Sequence, residues 1–428
     1  MLHVGFGEAD ITPKPGSESP GGSARRIIEK VDDPLKVVAM VVRTEDGAAA
    51  LVGIDTLFTP GELTAGARAA IAAKTEIPPD RILIGASHTH SGGPLATCFG
   101  SEADPEYGEK VRDKVGDAVI MAWNAMHAAE IGVGAEPAPG IAFNRRFLMR
   151  DGRQVTHPGK GNPRIVRVAG PTDPDVGVLA ARLPGGDLLG LFVHFTCHST
   201  VGRFGGFSAD YAFDLREALR AQYSRPDLPV GFLLGAAGDV TQVDNLRPGT
   251  EFGAPWSRMM GRTLGASATR AIARMEWKAA LDLRGVRTVV PIPIREPRDL
   301  KDEAPSEGLG SGADWEKIYA GERQFVERRR SRSPVVDCEV QAIRIGNLGL
   351  VTNGAEFFCQ HGLDIKAASP LPTTWVTTLA NDYIGYVGTA TAYYAGGYEP
   401  RTARSAFLAP QAGQLLVEGS LAALGKVV

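Results

Sequence analysis

The sequence predicts an α/β protein in which mixed β-sheets are surrounded by helices. Two observations carry this. In the first third of the chain, short runs of Val, Ile, Leu and Ala alternate with longer segments of helical periodicity, and strand, helix, strand in that order calls for some parallel pairing. The 52 glycines and 29 prolines among 428 residues call for many turns between short elements. With 43% apolar and 22% charged residues, the composition is that of a folded globular chain rather than a disordered one.

Residues 37–42 and 49–54 are strands by their apolar, β-type content. The Ala-rich stretch 60–75, with Glu62 near its start, is a helix. Residues 81–87 (RILIGAS) form a buried-type strand, 104–127 a long amphipathic helix and 131–135 a further strand. Strands follow at 164–168, 178–183, 188–195 and 230–236, with helices at 211–223 and 256–275. Residues 284–295 are another strand region, and 340–345 and 348–353 close the series. Between them, 296–334 turns polar and charged. It is expected as an exposed insertion with a helix at 315–330 and a mobile loop at 305–313; a lid over a site is the alternative. No internal repeat and no clear linker is visible, so one domain over 1–428 is expected.

The net charge of -3 gives no electrostatic reason to expect nucleic acid or an anionic membrane as partner. No apolar run is long enough for a membrane-spanning helix. The N-terminus (MLHVGFGEADITP) lacks a basic start followed by an apolar stretch, so a cytoplasmic location is expected, or secretion if a leader has been removed. Cys98, Cys197, Cys338 and Cys359 are far apart and form no CxxC, which disfavours a Cys-based zinc site. They read as buried and reduced, although two disulfides could be drawn. A small-molecule substrate is the expected partner.

The strongest local signal is His88-Thr89-His90, placed just after a strand. Residues two apart on an extended chain project to one side, so the two imidazoles would aim at one point, as a metal requires. Such pairs also occur by chance. His198, in HFTCHST, follows another strand, and strand ends in α/β sheets are where sites collect. His194 reads as packing; it would be a ligand only if its segment were helical. In GAAGDVT (235–241), Asp239 and Thr241 either point into a cleft or form a turn or helix cap. Glu356, in the apolar run AEFF, is either a paired buried charge or a metal ligand. The Tyr-rich segment 381–399 could be surface or core, and from the residues alone a Tyr ligand is unusual.

Taken together and in order, these clusters resemble the catalytic domain of the neutral (non-lysosomal) ceramidases. The matching pieces are GFGEADITP (5–13), ASHTHSGG (86–93), FNRRF (143–147), FTCHST (195–200), GDVT (238–241), NGAEF (353–357), NDYIGY and GYEPRT (381–402). The resemblance implies a Zn2+ site held by His88, His198, Glu356 and Tyr386. It also implies that His90, Arg145 and Tyr398 surround a scissile amide, with Thr241 where the family has Ser. Asn144, Asp239 and Asp210, within or beside the same motifs, are the substrate-binding candidates. The sequence departs from the family at Ala236, Thr391-Ala392 and Gly396, and after the second His motif it carries VGRFGGFSADY in place of an Asn-rich stretch. A counterpart of the family's C-terminal immunoglobulin-like domain is not expected. The expected activity is therefore zinc-dependent hydrolysis of a non-peptide N-acyl amide by activated water. The alternatives are an esterase, lactonase or carbohydrate-directed hydrolase on the same metal, or a non-catalytic binding protein.

Overall fold

Alternation along one strand explains the architecture of this computed structural model, which describes residues 1–22, 24–202, 205–297 and 315–428. In the strand Lys36–Thr44, Val37, Ala39 and Val41 pack with the helices Gly61–Ala72 and Pro105–Asn124. Val38, Met40 and Val42 pack instead against Leu179, Ala181 and Phe192 of a second sheet. Both faces of the strand are buried, which is why it is nearly continuously apolar. The mirror pattern holds in the second sheet, where Val178, Ala180, Leu191 and Val193 face the helices Tyr211–Gln222 and Gly253–Arg274. The layers run helix, sheet, sheet, helix.

The first sheet is five-stranded, in the order Ile82–Ala86, Gly47–Ile54, Lys36–Thr44, His3–Asp10, His127–Ala128. The second has the order Val230–Leu234, Leu188–Phe195, Asp175–Arg182, Glu130–Pro137, Trp277–Lys278. In each, the first two strands pair in parallel and the others antiparallel. The expected parallel pairing is thus present. The two sheets also share strand order and connection sense, a duplication of topology that no residue-level repeat announces. They approach closely: a Cβ on Gly53 would lie 2.5 Å from the Phe232 carbonyl oxygen.

A third, four-stranded sheet (Leu283–Pro293, Val335–Ile345, Leu348–Thr352, Thr373–Thr377) carries the helices Cys359–Ala368 and Ala412–Gly425. The long helix starts at Pro105 because the Asp104 carboxylate accepts from the amides of Glu106 and Tyr107. The expected helix in the polar stretch spans Trp315–Arg332; Tyr319, Glu322 and Val326 are buried, and its other described residues are exposed or half-buried. The loop expected at 305–313 lies outside the described residues. Among the described residues, no helix is long and apolar enough to cross a membrane.

Candidate metal centre

Three chain segments reach one point because each leaves a sheet there. His88 follows the strand Ile82–Ala86, His198 follows Leu188–Phe195, and Glu356 sits in the short strand Ala355–Phe357. The last pairs in parallel with Gly385–Val387 in the register Glu356 to Tyr386, which brings those two side chains to the same face. The two His loops are tied by the amide of His90 donating to the Ser199 carbonyl (3.1 Å) and by a bridge between Thr89 and Ser199. Gly238 carries the GDVT turn against the same strand. Its amide donates to the Phe357 carbonyl (2.8 Å), and a Cβ there would lie 2.4 Å from the Glu356 carbonyl oxygen. The small-residue turn therefore serves chain-to-chain approach.

The expected convergence of His88 and His90 is present, but not through a pleated strand. The strand ends at Ala86 and His88 has φ 62°, a left-handed conformation uncommon outside glycine, so a turn aims the ring. The Nε2 atoms of His88 and His90 are 3.3 Å apart. Glu356 Oε2 lies 3.4 Å from Nε2 of both His88 and His198. His88, His90 and His198 have ligand atoms within 4.8 Å of one another.

Backbone carbonyls set the tautomers. His88 Nδ1–H donates to the Leu57 carbonyl (2.8 Å), His90 Nδ1–H to that of Gly21 (2.9 Å) and His198 Nδ1–H to that of Ala237 (2.7 Å). Each Nε2 therefore presents a lone pair, the form in which imidazole binds metals. Burial pushes the His198 pKa down to about 3, and burial together with the other two imidazoles holds His90 well below its ordinary value. Lone pairs facing lone pairs at these distances repel unless a cation sits between them. His198 Nε2 and Glu356 Oε2 are buried and have no hydrogen-bond partner. Buried polar atoms are rarely left so; the donor set fits a metal ion.

Tyr386 and Arg145 adjoin the cluster. Arg145 Nη2 donates to the Tyr386 hydroxyl at 3.2 Å. Burial and the Glu356 carboxylate push the Tyr386 phenol well above its ordinary pKa, so its ionisation needs a further cation. Tyr383, one turn of sequence earlier, donates its hydroxyl to Glu356 Oε1 (2.9 Å). Arg145 and Arg146 share the buried carboxylate of Glu399. Tyr398 lies over the Arg145 guanidinium, and its ring stands 6.1 Å from that of Tyr386. Thr241 is buried and donates to Gln242 Oε1 (2.9 Å).

The three residues expected to contact substrate are held by protein partners. Asn144 Nδ2 donates to Asp239 Oδ2 (2.7 Å), and Asp239 Oδ1 accepts from the Cys359 amide (2.8 Å) at the start of Cys359–Ala368. Asp239 thereby holds the head of that helix from a distant segment. Asp210 accepts from the amides of Gly202 and Tyr211 at the head of Tyr211–Gln222. His194 stacks on Trp375 and bonds the Val376 carbonyl, the packing role expected of it. The four cysteines are free thiols, three of them buried. His157 was not singled out by any motif, yet it lines the cavities at the cluster; a lone His in VTHPGKG offers no sequence signal.

No family model matches the chain, and no curated protein does. Two solved structures match it along nearly its whole length. One, described as a ceramidase complexed with C2, has a TM-score of 0.79 at 18% identity and covers 99% of this chain and 74% of its own. The other, neutral ceramidase from Pseudomonas aeruginosa, has a TM-score of 0.74 at 18% identity and covers 100% of this chain and 75% of its own. At that identity the similarity speaks to fold, and the chain has a neutral ceramidase-like α/β fold.

Proposed function

We propose that this protein is a zinc-dependent hydrolase of a non-peptide N-acyl amide. The carrying observation is the pair of buried, partnerless acceptors, His198 Nε2 and Glu356 Oε2, facing His88 Nε2 at the wall of a cavity. His88, His198 and Glu356 would hold the ion, with Tyr386 as a fourth ligand beside them. A neutral-imidazole and carboxylate donor set suits Zn2+. Zinc would supply a Lewis acid for the substrate carbonyl and make a water acidic enough to react near neutral pH.

The chain's own groups supply the rest. The reaction adds water across the C–N bond, giving a carboxylic acid and a free amine. His90 Nε2 has a lone pair at the cavity while Nδ1 is anchored, so it can accept a proton from water and return it to the departing nitrogen. Arg145 and the Tyr398 hydroxyl are placed to donate to the oxygen on which negative charge develops. Glu399 fixes Arg145 through its Nε, leaving Nη2 for Tyr386 and the Gly238 carbonyl. The ceramidase-like fold supports an amide as the bond attacked.

The test is metal content and amide turnover in His88→Ala and Glu356→Ala. Both variants should lose most bound zinc and all turnover. Full zinc occupancy in both sinks the proposal.

A further inference from the structure

A cavity of about 270 Å³ has Arg146 in its lining and shares no lining residue with the cavities at the histidine cluster. Arg146, Arg167 and Gln154 supply its guanidinium and amide groups, Asp239 its one carboxylate, and Ala169, Pro171 and Phe358 its apolar part. The volume falls just under the roughly 300 Å³ at which drug-sized pockets begin, so a small organic molecule is what it can enclose. Two positions at which the sequence departs from the ceramidase motifs meet here. Thr391 lines the cavity, and the Gly396 carbonyl accepts from Arg146 Nη2 at 2.6 Å.

The unused polar groups of this cavity are mostly donors. Arg146 is buried; its Nη1 donates to Glu399 Oε2 and its Nη2 to Gln154 Oε1 and the Gly396 carbonyl, which leaves its Nε–H without an acceptor among the described residues. With Oε1 taken by Arg146, Gln154 still has the two N–H of its amide to give. Arg167 donates to the Val168 carbonyl at 3.1 Å and has no other partner among the described residues, so most of its guanidinium is free. Asp239 is the reverse case: Oδ2 accepts from Asn144 Nδ2 and Oδ1 from the Cys359 amide, so both of its oxygens are engaged. Charge has the same sign. Arg145, Arg146 and Arg167 stand against Glu399 and Asp239, an excess of one positive charge. The helix Cys359–Ala368, whose second residue Gln360 lines the cavity, adds the positive end of its dipole. Surplus N–H donors under a net positive charge call for acceptor oxygens that carry negative charge. The Ala169, Pro171 and Phe358 part calls for carbon.

We propose that this cavity is a binding site for a small organic oxyanion, a carboxylate or phosphate monoester of a few carbons. Its acid group pairs with Arg167 and with the free N–H groups of Arg146 and Gln154, and its carbon body lies against Pro171 and Phe358. The site is separate from the hydrolase reading and does not depend on it. A bound acid would nevertheless sit at one end of the chain Arg146, Glu399, Arg145, whose other end is the Tyr386 hydroxyl.

The experiment is calorimetric titration of the purified protein, with and without added zinc, with butyrate, butyl phosphate, n-butanol and n-butylamine. At least one of the two acids should bind, equally well in both conditions, and the tighter one identifies the acid group. The alcohol and the amine, with the same carbon chain, should not bind. Arg167→Gln removes a charged donor. Thr391→Glu sets a carboxylate at the cavity, in the first turn of the short helix Ala390–Ala395, where an acidic residue is tolerated. Each variant should weaken the acid by roughly tenfold or more, the worth of one hydrogen bond to a charged group. Arg112→Gln removes the same charge from the exposed side of Pro105–Asn124 and should leave the affinity as it is. Circular dichroism melts show which variants fold; if Thr391→Glu does not, Arg167→Gln decides. Three results overturn the proposal: no binding of either acid, n-butanol binding as tightly as the acids, or an affinity unchanged in Arg167→Gln. Binding that requires zinc also overturns it, because the acid is then held at the metal centre.

Discussion

Replacing Glu399 by Gln removes one negative charge from beneath two positive ones. Glu399 is fully buried, and Arg145 and Arg146 are 3% and 2% exposed. Its Oε1 accepts from Arg145 Nε at 3.0 Å, and its Oε2 accepts from Arg146 Nη1 at 2.6 Å and from Thr156 Oγ1 at 2.7 Å. The amide preserves shape but strands two buried guanidiniums, and breaking a buried pair in this way costs about 3–5 kcal/mol. Unfolding entropy near 2.1 cal/mol/K per residue gives about 0.9 kcal/mol/K for 428 residues, so Tm should fall by about 3–6 °C. Circular dichroism melts at pH 7 read this directly. Adding Arg146→Met to Glu399→Gln should recover part of the loss, because one stranded charge is gone. The pH dependence has a definite sign. Burial raises the Glu399 pKa, but Arg146, Arg145 and the Thr156 hydroxyl outweigh it and leave the carboxyl below its ordinary value. A depressed carboxylate stabilises the fold above its unfolded pKa of about 4.3 and loses that contribution as pH falls through the folded value. The gap between wild type and Glu399→Gln should be full at pH 7 and close below about pH 4. A Tm change under about 1 °C at pH 7 refutes the reasoning.

Other outcomes follow from the same geometry. Zinc at a thousandfold excess over its Kd should add about 4 kcal/mol to stability, so chelation should lower Tm by about 4–5 °C and zinc restore it; a Tm indifferent to chelator counts against the site. Tyr383→Phe deletes the 2.9 Å bond to Glu356 Oε1 and should weaken zinc binding by about 10- to 100-fold, measured by competition with a chromogenic chelator. His194→Phe should leave zinc content unchanged, since that ring stacks on Trp375 rather than facing the cluster; a variant folded but metal-free would restore His194 as a ligand. Met40→Ala, at the buried seam between the first two sheets, should cost about 2–5 kcal/mol in chemical denaturation.

Much of the architecture was legible before any coordinates. The strands at 37–42, 49–54 and 188–195 were visible because both faces are buried, which makes them unbroken apolar runs. His88 and His198 were visible because each follows such a run. Glu356 and Tyr386 were not separable from core residues by chemistry alone, because the three-residue register that joins them is a property of strand pairing, not of local sequence. Asp239 and Asn144 look like cleft residues in their motifs, yet they bond each other and the Cys359 amide, a partnership across 95 and 120 positions that no spacing rule exposes. The duplicated sheet topology was hidden because the halves share which positions are apolar and not which residues fill them. The helix Trp315–Arg332 is legible from its charged composition, while the few residues that anchor it, such as Tyr319 and Val326, carry no pattern that marks them.

The duplicated sheets have a consequence for how the protein comes together. His88 belongs to the first sheet, His198 to its topological twin, and Glu356 to a short strand beside the third. No one of these units holds a ligand set by itself. An ion at their meeting point would behave as a rivet through three plates, closing loops of more than a hundred residues that are costly to close. Capture of the ion would report that the plates are aligned, and its loss would let them slip before any one of them unfolds.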